Sequence, residues 1–176
     1  RASAPGTVNV TMTQAGVLLG DGLPTSLTLT DLDGTGVTLS FKGGQARVLF
    51  VGFPTAPVPG NPVVVGGPVS IYRIELANTS LASSLSLKTV GGTTPGATVM
   101  GITGSTPMGG VVGPTMDVVR DGILMTGDGF ITTIVLRDLL QGADIVMPGA
   151  GALKGVSLTL RQIPDAGSDI TLGSGL

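Results

Sequence analysis

Glycine and proline interrupt this chain at short intervals, and that spacing constrains its fold more than any other feature. Thirty glycines and twelve prolines are spread over 176 residues. The runs between them are rich in Val, Ile, Leu and Thr, whose side chains fit a pleated sheet. The pattern predicts an all-β protein, a single-domain antiparallel β-sandwich or jelly roll with many short strands and Gly/Pro-rich loops.

The first strand expected from alternation covers residues 7–13. Val8, Val10 and Met12 lie on one face of such a strand, and polar side chains lie on the other. We therefore divide the chain into a flexible arm, residues 1–6, and one domain, residues 7–176. A terminal strand either pairs within its own sheet or completes the sheet of a neighbour, so residues 7–13 are a candidate donor strand.

Further segments have strand character, and the stretches between them have turn or loop character. The expected strands are 26–30, 37–41, 47–53, 69–76, 83–90, 116–119, 123–126, 130–136, 153–163 and 170–172. Residues 54–68 and 91–113 are expected to be loops, and residues 134–141 offer a short helical alternative. No repeat of fixed period runs along the chain, which argues against a regular β-solenoid.

Charge is scarce, because only 11% of residues are Asp, Glu, Lys or Arg. The mean hydropathy is +0.51, yet no run of 18 apolar residues predicts a transmembrane helix. Two explanations remain open: copies of the chain cover one another, or Thr and Ser keep an uncharged surface soluble. The nine scattered Lys and Arg and the lack of Trp argue against nucleic-acid binding.

The chain contains neither histidine nor cysteine, which removes the usual general base, metal ligands and reactive nucleophile. No Ser-x-x-Lys or Gly-x-Ser-x-Gly motif replaces them, and the glycine clusters match no phosphate-binding or dinucleotide-binding fingerprint. We therefore expect no enzymatic activity, no catalytic residues and no required cofactor.

Asp31 and Asp33 form the candidate metal site. They lie two residues apart in a Gly-bearing loop, where both carboxylates could point at one calcium ion. The alternative is that they cap turns, since a short Asp side chain accepts hydrogen bonds from its own backbone. Asn9 and Asn78 each begin an Asn-x-Ser/Thr sequon and are candidate glycosylation sites in an exported protein.

These observations favour a non-enzymatic structural subunit of an extracellular or cell-surface filament, such as a pilus, thread or tubule. Its partners would be copies of itself, joined through strand donation by Val8, Val10 and Met12 and through apolar contacts. Two alternatives remain open. One is a virion structural protein, either a capsid decoration protein or a coat or fibre domain, and the other is a calcium-dependent secreted binding module.

Overall fold

The computed structural model describes residues 16–52, 54–92, 96–149, 155–162 and 167–173. Within these ranges the chain forms twelve strands and no helix, so the prediction of an all-β fold is confirmed. The strands are β1 (Gly16–Gly20), β2 (Ser26–Thr30), β3 (Gly36–Lys42), β4 (Gln45–Gly52), β5 (Val63–Ala77), β6 (Ser84–Val90), β7 (Ala97–Gly104), β8 (Met108–Met125), β9 (Ile131–Leu140), β10 (Ile145–Met147), β11 (Ser157–Thr159) and β12 (Ile170–Leu172).

Six of these strands close into a barrel, in the order β2, β5, β7, β8, β6 and β3. The β2–β3 and β3–β6 pairs are antiparallel, whereas the other four pairs are parallel. The sequence predicted an antiparallel sandwich or jelly roll, but the pairing is mixed and does not clearly form either. Local alternation shows that a strand has a buried face, but it does not determine which strand lies beside it or in which direction.

A solenoid-like stretch continues from the barrel through parallel pairing. Strand β8 pairs with β9 and β10, β9 pairs with β11, and β10 pairs with β12. The long β8 bends where Arg120 and Gly122 adopt positive φ angles of 60° and 71°. Successive turns of chain therefore stack as rungs, with their strands paired edge to edge.

Apolar residues in equivalent positions of successive rungs form ladders through the core. One ladder consists entirely of isoleucine, in the order Ile74, Ile102, Ile123, Ile145 and Ile170. Its first four side chains are fully buried, whereas Ile170 is 38% exposed. The second ladder is Leu85, Val111, Ile134 and Leu158, and the third is Ile71, Val99, Val118 and Leu139.

The rungs form a solenoid-like stretch without a constant repeat, which the sequence argument against a regular β-solenoid did not anticipate. Neighbours in the isoleucine ladder are 28, 21, 22 and 25 residues apart. A solenoid needs matching strands at each level, and loops of unequal length between them leave no constant period in the sequence.

Several local predictions are also corrected. Residues 91–113 were expected to be a loop but contain β7 and the start of β8, and β5 begins within the expected loop 54–68. The helical alternative at 134–141 falls largely in β9. The predicted strand 7–13, with Val8, Val10 and Met12, lies outside the described residues.

Candidate functional site

The last rung, formed by β12, lies at one end of the stack of strands. Among the described residues, β12 pairs with β10 and with no second strand. Ile170 and Leu172 are 38% and 40% exposed, although their partners in β10, Ile145 and Met147, are fully buried. The apolar ladder thus reaches the end of the stack with its final members partly in solvent.

Main-chain hydrogen bonding shows which groups of β12 face outward. The Ile145 amide donates to the Asp169 carbonyl at 2.9 Å, and the Gly173 amide donates to the Met147 carbonyl at 2.9 Å. In a parallel pair, alternate residues direct their main-chain groups to opposite sides of the strand. The amides and carbonyls of Ile170 and Leu172 therefore point away from β10, where they could pair with an added strand.

The same edge belongs to a sheet that continues across the molecule. A single row of paired residues runs through β1, β4, β5, β7, β8, β10 and β12, and its two ends are Val17 and Ile170. Strand β1 pairs with β4 alone among the strands described. This row therefore ends on β1 at one side and on β12 at the other, and the branch through β9 ends on β11 among the strands described.

A polar ladder lies beside the apolar ones at a corner of the solenoid. Thr98, Asp117 and Asp138 occupy equivalent positions in successive rungs, and Asp138 forms a bridge to Gln162. Asp117 and Asp138 are each only 5% exposed. Buried carboxylates of this kind need charged partners, because an unpaired charge is strongly disfavoured away from water.

Two arginines provide those partners. The Nε of Arg137 donates to Asp117 Oδ1 at 2.6 Å, and its Nη2 donates to Asp117 Oδ2. Arg161 makes the corresponding two-point contact with Asp138, with 3.1 Å between Nε and Oδ1. The hydrogen bond to Asp117 raises the pKa of Arg137 and partial burial opposes that rise, so the guanidinium remains charged.

This corner opens into a cavity of about 290 Å³, whose lining includes Asp31, Asp33, Ser70, Asp117 and Arg137. The fold therefore brings the two aspartates of the predicted calcium site to the same cavity as Asp117 and Arg137. Within the described ranges, however, no group of three or more Asp or Glu is arranged to hold a metal ion.

The two aspartates also make contacts typical of turns. Asp31 Oδ1 accepts hydrogen bonds from the Leu32 amide and the Ser70 hydroxyl, both at 2.7 Å. Asp33 Oδ1 accepts one from the Thr35 amide at 2.9 Å. These contacts hold the loop between β2 and β3 in place, which is the structural alternative considered from the sequence.

Of the two predicted glycosylation sites, Asn78 lies in the described part of the chain and Asn9 does not. Asn78 is exposed in the turn after β5, with a φ of 53°. The next residue, Thr79, is buried and its hydroxyl donates to the Thr106 carbonyl at 3.2 Å. The Asn78 side chain is therefore accessible at the surface, and its glycosylation stays a prediction.

The sequence analysis predicted residues 170–172 as a strand, but it did not predict the polar ladder or the stacking of rungs that ends at β12. Asp117 and Asp138 are 21 residues apart, as are Ile102 and Ile123. A search for apolar and acidic residues recurring together at 20–28 residue intervals could have indicated stacked rungs.

Comparison with protein-family models, curated proteins and solved structures finds no match to this chain. In the ranges described, no helix has the length and apolar character needed to cross a membrane.

Proposed function

We propose that this chain is a non-enzymatic structural subunit that polymerises outside the cell into a filament, such as a pilus, thread or tubule. Copies join head to tail through strand donation and apolar contacts. The observation that carries the proposal is the continuous sheet ending on β12, where Ile170 and Leu172 expose both apolar side chains and outward-facing main-chain groups.

The unlike strands at the two ends of this row support a directional, open-ended assembly. Strand β1 lies at one end of this row of strands and β12 at the other, and the two edges differ in sequence. Contacts between unlike surfaces generate rings or open helical filaments instead of closed two-fold dimers. A head-to-tail contact can therefore repeat from copy to copy.

The low charge of the chain agrees with this role. An uncharged sheet edge with apolar side chains is an aggregation hazard in a solitary protein, and natural monomers usually protect such edges with charge, proline or covering loops. In a subunit, the neighbouring copy covers the edge instead.

The first experiment removes the candidate donor strand. We expect the chain lacking residues 7–13 to sediment as a monomer, while the full chain forms fibres visible by negative-stain electron microscopy. A finer version replaces Val8, Val10 and Met12 by Ser. Its matched control replaces Thr7, Thr11 and Thr13 by Ser, which leaves the apolar face of the strand intact.

The outcomes separate the proposed classes of protein. Fibres from the full chain and from the Thr control, but not from the apolar variant, support the filament proposal. Closed shells instead of fibres would favour a virion protein. Normal polymerisation by the chain lacking residues 7–13 would show that strand donation is wrong.

The cavity at Asp31 and Asp33 motivates calcium binding as a second candidate function. A calcium-dependent binding module should melt at a higher temperature in millimolar calcium than in chelator, because a ligand that binds the folded state stabilises it. The double substitution Asp31→Asn and Asp33→Asn should remove that difference. Identical melting curves of the unmodified chain in calcium and in chelator would dismiss this function.

A further inference from the structure

We infer that the acceptor for the donor strand is the last rung of a second copy, with residues 7–13 of one chain pairing along β12 of the next. This inference rests on the proposed function and specifies both sides of its contact. Val8, Val10 and Met12 would continue the apolar ladders beyond Ile170 and Leu172 as one more rung.

Residues 7–13 and β12 share two properties, which are a lack of charge and an alternation of apolar and polar side chains. Residues 7–13 contain Thr, Val, Asn and Met and carry no charge. The edge they would meet presents Ile170 and Leu172, separated by Thr171, so apolar and polar positions alternate on both strands. A strand with this alternation can satisfy the outward main-chain groups of β12 and place its apolar side chains over the open end of the core.

The strand order favours a donor from another copy, because β1 and β12 are not neighbours in the sheet. Val17 and Ile170 stand at opposite ends of a row with six strand-to-strand steps, which is about 29 Å along the sheet at ~4.8 Å per step. Thr13 is three residues from Gly16, the first residue of β1, and that length of extended chain spans at most about 11 Å. The donor segment is therefore tethered to β1, which is six strand-to-strand steps from β12 along the sheet, and the cross-linking experiment below distinguishes a donor from another copy from a donor in the same chain.

A cross-linking experiment tests the pairing directly, and the natural lack of cysteine simplifies it. One protein carries Thr11→Cys, and a second protein of distinguishable mass carries Thr171→Cys. Both positions are on the polar side of their strands, so the apolar contacts are left intact. The two proteins are unfolded and refolded together, then treated with a short thiol-specific cross-linker.

We expect a mixed dimer containing one copy of each protein. The matched control pairs Thr11→Cys with Val90→Cys, because Val90 is 80% exposed at the end of β6, where it pairs with Gly36 of β3 and not with β12. That pair should give little mixed product. Because each chain carries a single cysteine, a mixed product can form only between copies.

A second measurement tests the energetic role of the last rung. Ile170→Asp should weaken association by about tenfold or more, because a carboxylate would be buried at the contact. Val90→Asp provides the control for the added charge and should leave association unchanged. Near-ultraviolet circular dichroism and urea unfolding establish that both variants are folded.

Failure of this inference is distinguishable from failure of the proposed function. If the chains form fibres but Thr11 and Thr171 give no more mixed product than the control, the acceptor is not β12 and the filament proposal stands. A chain carrying both cysteines that cross-links only within itself would likewise rule out β12 of a second copy as the acceptor. If the unmodified chain stays monomeric at high concentration, both proposals are wrong.

Discussion

The ion pair between Asp117 and Arg137 is the residue-scale feature with the largest expected effect on stability. Both side chains are largely buried, with 7% and 13% of their surface exposed. Removing one member of such a pair leaves the other charge without its main partner in a poorly solvated place. We expect Asp117→Ala to lower the free energy of unfolding by about 3–5 kcal/mol, measured by urea denaturation.

Glu75→Ala is the matched control for a lost carboxylate. Glu75 pairs with Arg47 at 3.4 Å, but both side chains are well exposed. Exposed pairs of this kind contribute about 0–1 kcal/mol, since water screens them and their side chains lose entropy. Equal losses from the two variants would mean that burial at the solenoid corner does not strengthen the dependence on Asp117.

The pH dependence of the stability that this ion pair provides follows from the pKa of Arg137. Hydrogen bonding to Asp117 raises the pKa of Arg137. A group whose folded-state pKa is raised stabilises the fold fully below its unfolded-state pKa and loses that contribution only as the pH rises through the folded-state pKa. For arginine, both values lie above the range in which proteins are usually studied, so this contribution should be constant from neutral to moderately alkaline pH.

Arg137→Lys converts this constant contribution into a titrating one. Lysine has an ordinary pKa of about 10.4, so the variant should lose stability relative to the unmodified chain as the pH rises towards and above that value. The measurement is the difference in urea midpoint between the two proteins at neutral pH and near pH ~10.5, which cancels any pH dependence that the two proteins share. A difference that does not grow with pH would contradict the role given to Arg137.

At the scale of elements, the isoleucine ladder makes each rung depend on its neighbour. Ile145 is fully buried between Ile123 and Ile170. We expect Ile145→Ala to reduce the free energy of unfolding by about 2–5 kcal/mol, because it leaves a cavity between two rungs.

Ile170→Ala in the monomeric chain is the comparison for that effect. Its side chain is already 38% exposed, so the loss should be smaller, about 1–2 kcal/mol. Both values come from urea unfolding at a concentration where the chain does not associate. If Ile170→Ala lowers the free energy of unfolding as much as Ile145→Ala does, the monomer itself must cover the last rung.

Strand β7 and the first part of β8 contain interior glycines and were predicted from the sequence to be a loop. Gly109 is inside β8, yet a Cβ there would overlap the Leu81 carbonyl oxygen. A Cβ at Gly101 in β7 would lie 2.9 Å from Asp121 Cβ. These glycines permit close approach between strands and neighbouring chain, whereas the sequence alone suggested that they belong to a loop.

At the scale of the whole molecule, the proposed contact is apolar and hydrogen-bonded and carries little charge. Residues 7–13 contain no ionisable side chain, and neither do Ile170, Thr171 and Leu172. Raising the salt from about 0.1 M to about 1 M shortens the Debye length from about 10 Å to about 3 Å, which weakens ionic contacts between exposed groups. We expect the sedimenting fraction to be unchanged over this range, and a large fall would indicate an ionic interface.

Local sequence patterns were sufficient to locate the strands with simple alternation. Residues 26–30 and 37–41 alternate between apolar and polar side chains, and they correspond to β2 and β3 with their apolar sides buried. The turn residues also predicted the loop that places Asp31 and Asp33 together, because such residues act through their own backbone. These features depend on neighbours in the chain, so they can be inferred without knowing the fold.

The mixed barrel, the stacked rungs and the polar corner could not be inferred in this way, because they depend on contacts between distant segments. Asp117 and Arg137 are 20 residues apart yet form an ion pair, and Ile74 and Ile170 are 96 residues apart yet belong to one ladder. Parallel partners are separated by long connections of variable length, so no local pattern fixes their order or register. The sheet edge at β12 exists for the same reason: it is produced by the order in which distant strands stack.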